Sequence, residues 1–231
     1  MRRREEEIVA RYRRLDTLVS MKQLGLIPTF HHAELDVARA VLEALADGGA
    51  RAVEFVNRGD RALQIFAQLE EWCCLYKPEI ILGAGAVVDA PTAALFIAAG
   101  ASFVGSPLLD PDTARLCNSR KIPYCPGCSS ATEIHQAHLL GVEICKLFPS
   151  EAVGGPAFVK HLLGSCPWAD LMASGGISPT SESISAWFGA GITCAEMGTQ
   201  LLSNDLLERR DYSGITAITS DTLQTIREVR G

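Results

Sequence analysis

The sequence predicts an α/β protein, a (β/α)8 TIM barrel with an extra N-terminal helix, and three observations predict it. Short apolar runs recur eight times. Each is followed by a turn rich in Gly, Pro or Ser and then by a helical pattern. The runs are apolar throughout and do not alternate, as strands buried on both faces are. Strand, helix, strand at a repeat of roughly 20 to 30 residues gives a parallel sheet covered by helices, and eight such units close a barrel. The competing arrangement is a doubly wound open sheet, which has fewer strands as a rule.

The elements follow in order. Residues 1–24 read as a charged helix that closes the barrel's bottom or packs on its side. Residues 25–202 form the barrel core and 203–231 a C-terminal helix, all in one domain. The strand runs are 26–30, 51–56, 80–84, 102–105, 122–125, 143–148, 170–174 and 192–197. Between them, Asp110-Pro111 and Ser178-Pro179 read as N-cap and first helical position, and Ser130 with Glu133 as a capping box. Gly25, Gly48, Gly100, Gly141 and Gly191 stand just before apolar runs, where a left-handed helix stop favours glycine.

Composition narrows the class further. With 231 residues, 48% apolar and 21% charged, the chain excludes disorder, collagen and coiled coil. A chain of this size buries about 70% of its unfolded surface and needs no staples. No apolar run approaches the roughly 18 residues of a membrane span, so the expected setting is cytoplasmic. The eight cysteines are too sparse for a disulfide scaffold, and most sit in or beside apolar runs as reduced thiols do. Net charge is −6: residues 1–25 contribute +3 and leave −9 for the remainder. That acidic remainder repels polyphosphate, so no nucleic-acid or membrane partner is expected, and the basic start reads as a solvated helix with Glu5 to Glu7 paired to arginines one turn on.

In such a barrel the chemistry lies at the C-terminal ends of the strands. Lys146 sits among Ile144, Cys145, Leu147 and Phe148, a run that should be wholly buried, whereas the other four lysines fall on helices or just before strands. Burial disfavours an ammonium, so a neutral amine able to attack a carbonyl is expected; a snorkelling or salt-bridged lysine is the alternative. Glu54, within Val53-Glu54-Phe55-Val56, offers a carboxylate at a strand end to move protons, and Arg58 a guanidinium to hold a substrate carboxylate. An ion pair would account for both equally well. Ser174-Gly175-Gly176-Ile177 and Met197-Gly198-Thr199 follow the seventh and eighth runs, where backbone N–H groups of such barrels bind phosphate; plain turn geometry is the other use of those glycines.

Other motifs carry less. Gly83-Ala84-Gly85 lacks the third glycine of a dinucleotide fingerprint, and Asp89 beyond it reads as an N-cap. Cys125-Pro126-Gly127-Cys128 has no second pair at matching spacing, so neither metal nor redox cofactor is expected. His31, His32, His135 and His138 read as surface or packing residues, the first two near the pocket mouth. Glu196, inside the last apolar run, has no evident role.

These placed residues resemble the bacterial 2-keto-3-deoxy-6-phosphogluconate (KDPG) aldolases, also called 4-hydroxy-2-oxoglutarate (KHG) aldolases, over about residues 24–202. The match is carried by Gly49 to Arg58, Gly83-Ala84-Gly85, Ser106-Pro107, Pro126-Gly127, Lys146-Leu147-Phe148-Pro149, Gly175-Gly176-Ile177-Ser178-Pro179 and Gly198-Thr199. The resemblance implies a class I lyase of the Entner–Doudoroff pathway, metal-free and homotrimeric. Such an enzyme would cleave the phosphorylated 2-keto acid to pyruvate and glyceraldehyde 3-phosphate, with 4-hydroxy-2-oxoglutarate, cleaved to pyruvate and glyoxylate, as a further candidate substrate. Lys146 would form the Schiff base and Glu54 would be the general acid and base. Arg58 and Pro107 would bind the pyruvyl carboxylate, and Ser174, Gly175, Gly176, Gly198 and Thr199 the phosphate. Ala86 and Ser174 stand where the family usually has Thr, and Thr199 where Ser is common. Losing a hydroxyl at 86 removes a donor near the carboxylate. The alternatives are an aldolase for the 6-phosphogalactonate epimer, a phosphosugar isomerase or decarboxylase, and a non-catalytic phosphosugar-binding barrel.

Overall fold

The computed structural model describes residues 11–231. Helix α1 (Arg14–Leu24) precedes strands β1 (Leu26–Phe30), β2 (Ala52–Val56), β3 (Ile81–Gly85), β4 (Val104–Gly105), β5 (Tyr124–Cys125), β6 (Gly127–Cys128), β7 (Ile144–Leu147), β8 (Asp170–Ser174) and β9 (Cys194–Met197). All strand pairs are parallel, in the order β5-β4-β3-β2-β1-β9-β8-β7-β6. The nine segments make a nearly closed TIM-type barrel, with β5 and β6 as two halves of the fifth strand. Pro126 divides them because it has no N–H to give a ladder; its carbonyl still accepts from Lys146 N at 2.9 Å. The expected run 122–125 therefore extends to Cys128 across the proline.

Helices α2 (Leu35–Asp47), α3 (Ala62–Tyr76), α4 (Ala90–Ala98), α5 (Pro111–Arg120), α6 (Ala131–Leu139), α7 (Gly155–Ser165) and α8 (Ser181–Ala190) alternate with the strands. Local chemistry starts them as the sequence suggests: Asp89 accepts from Thr92 N at 2.7 Å, Asp110 from Thr113 N at 2.8 Å, and Ser130 Oγ from Glu133 N at 3.3 Å. Two boundaries differ. The N-cap of α8 is Thr180, accepting from Ser183 N, and not Ser178. Gly48 is right-handed, and the left-handed residue of that turn is Gly49 at φ 99°. Residues 203–231 carry two helices instead of one, α9 (Asn204–Glu208) and α10 (Tyr212–Arg230), separated by Arg210 at φ 53°.

Alternate residues of each strand face the barrel axis. At the bottom, Ile27, Ala52, Ile81, Phe103, Cys125, Ile144, Met172 and Cys194 form an apolar ring that packs against Leu18 and Met21 of α1. The first helix thus closes the lower end; the other expectation, packing on the side, does not hold. Arg14 fixes it there with a bidentate pair to Glu143 (2.8 and 2.7 Å) and a bond to Gly141 O. Residues 1–10, with the expected Glu5 to Glu7 pairs, lie outside the described residues. The outward strand residues pack under the helices in the larger core. Among the described residues no helix is long and apolar enough to cross a membrane.

Candidate active site

The axial residues above the apolar ring line a cavity of about 320 Å³ at the C-terminal strand ends. It brings together every residue singled out from the sequence: Glu54, Arg58, Pro107, Lys146, Ser174, Gly175, Gly176, Gly198 and Thr199. It adds Thr29, Val56 and Glu196, whose strand parity could have found them. Glu196 stands two residues before Gly198 and two after Cys194, so it faces the axis as they do. His31 packs on Phe55, ring centroids 5.7 Å apart, and does not line the cavity.

Three ionisable side chains meet at the floor. Lys146 is 4% exposed, Glu54 2% and Glu196 5%. Lys146 Nζ donates to Glu54 Oε2 at 3.2 Å and lies 2.5 Å from Glu196 Oε2. The second approach is the closer of the two, and Glu196 Oε2 is enclosed with no other aligned hydrogen-bond donor among the described residues. Glycines make room for this cluster: a Cβ at Gly85 or Gly105 would collide with the Glu54 carboxylate.

Burial alone would push Lys146 toward the neutral amine. The charges of Glu196 and then Glu54 reverse that and hold it above its ordinary value. The lowered pKa expected from burial does not hold, because the two carboxylates together outweigh desolvation. The salt-bridged lysine and the candidate nucleophile are the same residue. Glu54 is pushed up to about 8, by desolvation first and the like charge of Glu196 second, with Lys146 opposing. At neutral pH the cluster thus favours a proton on Glu54 and a charged Lys146.

The rim differs in kind. Arg58 is exposed and, among the described residues, no carboxylate pairs with it; the ion pair weighed for Glu54 is made by Lys146 instead. Pro107 lies against Gly127, where a Cβ would strike its backbone. Ala86 adopts φ 54° on the cavity wall. In the loop after β8, Gly175 O accepts from Ser150 Oγ at 2.8 Å and Glu151 N at 3.0 Å. After β9, Gly198 O accepts from Leu201 N and Leu202 N. The carbonyls are engaged, while the N–H groups of Gly175, Gly176, Gly198 and Thr199 bond to no other group of the described chain. Uncommitted N–H groups in adjacent loops are the kind of donors that an anion can recruit. Gly176, at φ 107°, has no room for a side chain against Glu151.

The sequence profile of the KDPG and KHG aldolase family matches residues 18–218. The chain belongs to that family. This KDPG/KHG aldolase family member is 30% identical over 217 residues to the 2-dehydro-3-deoxy-phosphogluconate aldolase of Pseudomonas aeruginosa, covering 94% of this chain and 95% of the other. It is 28% identical to the KHG/KDPG aldolase of Escherichia coli K12, covering 86% and 91%. Its barrel superposes on KDPG aldolase from Legionella pneumophila, solved with pyruvate captured as a covalent carbinolamine. The TM-score is 0.80 at 24% identity, with 88% of this chain and 96% of that one covered.

Proposed function

We propose that this chain is a class I aldolase that cleaves 2-keto-3-deoxy-6-phosphogluconate to pyruvate and glyceraldehyde 3-phosphate, and 4-hydroxy-2-oxoglutarate to pyruvate and glyoxylate. The observation that carries it is the buried Lys146 amine against a carboxyl with a pKa of about 8, beneath a rim of free N–H groups. Lys146 attacks the C2 ketone, and the carbinolamine loses water with the proton that Glu54 gives up. The iminium draws electrons as Glu54 takes the C4 hydroxyl proton and the C3–C4 bond breaks. The aldehyde leaves, and the pyruvate enamine is protonated and hydrolysed. Arg58 and Pro107 hold the carboxylate; Ser174, Gly175, Gly176, Gly198 and Thr199 hold the phosphate. An isomerase or decarboxylase would need the phosphate loops but no buried amine.

Pyruvate with borohydride is expected to fix a covalent adduct on the peptide containing Lys146, read by mass spectrometry. An unlabelled Lys146 in the presence of saturating pyruvate would rule out the imine route. Exposed apolar side chains such as Leu75, Tyr76 and Trp168 are compatible with a homotrimer. The eight free thiols support a reducing, cytoplasmic setting.

A further inference from the structure

One buried charge is left over by this mechanism. Glu196 lies closer to Lys146 than Glu54 does, at 2.5 Å against 3.2 Å, with Oε2 fully enclosed and no aligned donor other than that ammonium among the described residues. A buried carboxylate is costly unless it is used or fully bonded. We propose that Glu196 is a second catalytic carboxylate, the base that takes the proton from Lys146 as the amine attacks, which leaves Glu54 to serve the oxygens of the substrate. The inference rests on the imine-forming aldolase reading above.

The protons balance. Lys146 Nζ gives one proton to Glu196 Oε2 as its lone pair forms the bond to C2. The C2 oxygen gains a second Nζ proton and, with the proton that Glu54 carries, leaves as water. One N–H remains on the iminium, Glu196 is neutral, and Glu54 is now the carboxylate that takes the C4 hydroxyl proton. Hydrolysis of the product imine runs the transfers backward. The ionisable groups facing Glu196 are Lys146 from β7, Glu54 from β2, Cys125 from β5 and Cys194 two residues along β9. Desolvation pushes Cys125 up to about 12 and raises Cys194 as well, so both thiols stay neutral. Neither thiol therefore competes for the Lys146 proton.

The test follows the rate of pyruvate adduct formation by rapid mixing and borohydride quench across pH, in wild type, Glu196→Gln and Glu196→Asp, with circular dichroism as the folding control. Glu196→Gln is expected to slow adduct formation about 100-fold. Its alkaline limb should fall below the wild-type limb near 8, because Glu54 loses its like-charged neighbour. Glu196→Asp is expected to keep the limb in place and lose about tenfold in rate. An adduct rate for Glu196→Gln within about twofold of wild type, with the limb unmoved, overturns the proposal. If Glu196→Gln does not fold, an unchanged rate in Glu196→Asp overturns it equally. Absence of any adduct in wild type overturns the aldolase reading together with the role of Glu196.

Discussion

Lys146→Ala is expected to leave a folded barrel whose retro-aldol turnover falls by about 10⁵-fold or more, because the covalent route has no second amine to use. Lys22 is paired with Asp170, Lys77 with Asp47, and neither these nor Lys121 and Lys160 line the cavity. The variant also strands Glu54 and Glu196 together in the interior. Removing one partner of a buried ion pair costs about 3 to 5 kcal/mol, and protonation of the two carboxyls relieves part of that at low pH. The variant should therefore melt progressively earlier than wild type as pH rises. Pyruvate release from the phosphorylated keto acid measures the first effect and thermal melts the second. Retention of more than about 1% of turnover would show that Lys146 is not the nucleophile.

For Glu54→Gln the expected outcome is a split. Turnover drops about 10²- to 10⁴-fold, the usual worth of a positioned general acid or base, while some pyruvate adduct still forms on Lys146 at a reduced rate. Glutamine keeps the shape of the side chain between Gly85 and Gly105 but cannot take the C4 proton. Stability offers an independent reading. Glu54 is raised in the folded protein from 4.5 to about 8, so the fold binds that proton more tightly than the unfolded chain does. This contribution is full below 4.5 and is lost as pH rises through about 8. Wild type should lose melting temperature over that window, and Glu54→Gln should flatten this part of the profile. A variant with normal turnover, or with the wild-type slope intact, contradicts the assignment.

Much of this site was legible in the chain because its parts obey local rules. Apolar runs that do not alternate mark buried parallel strands, and a lysine or glutamate inside such a run can face only the axis or a helix. Rim glycines were readable from their position after the seventh and eighth runs. What escaped was relational. Pro126 hid the second half of the fifth strand, because a proline in a short run reads as its end. Glu196 looked anomalous alone and became intelligible only once its parity with Gly198 put it beside Lys146. The protonation of Lys146 depends on two carboxylates brought from β2 and β9, 92 positions upstream and 50 downstream. No local pattern reports that sum.

The helix at the base has a kinetic corollary. With Leu18 and Met21 stoppering the bore, the cavity opens only toward the C-terminal strand ends, and a fragment held covalently by Lys146 at the floor is expected to depart after the one that is free to diffuse. The order expected is aldehyde before pyruvate, with pyruvate loaded first in the reverse condensation.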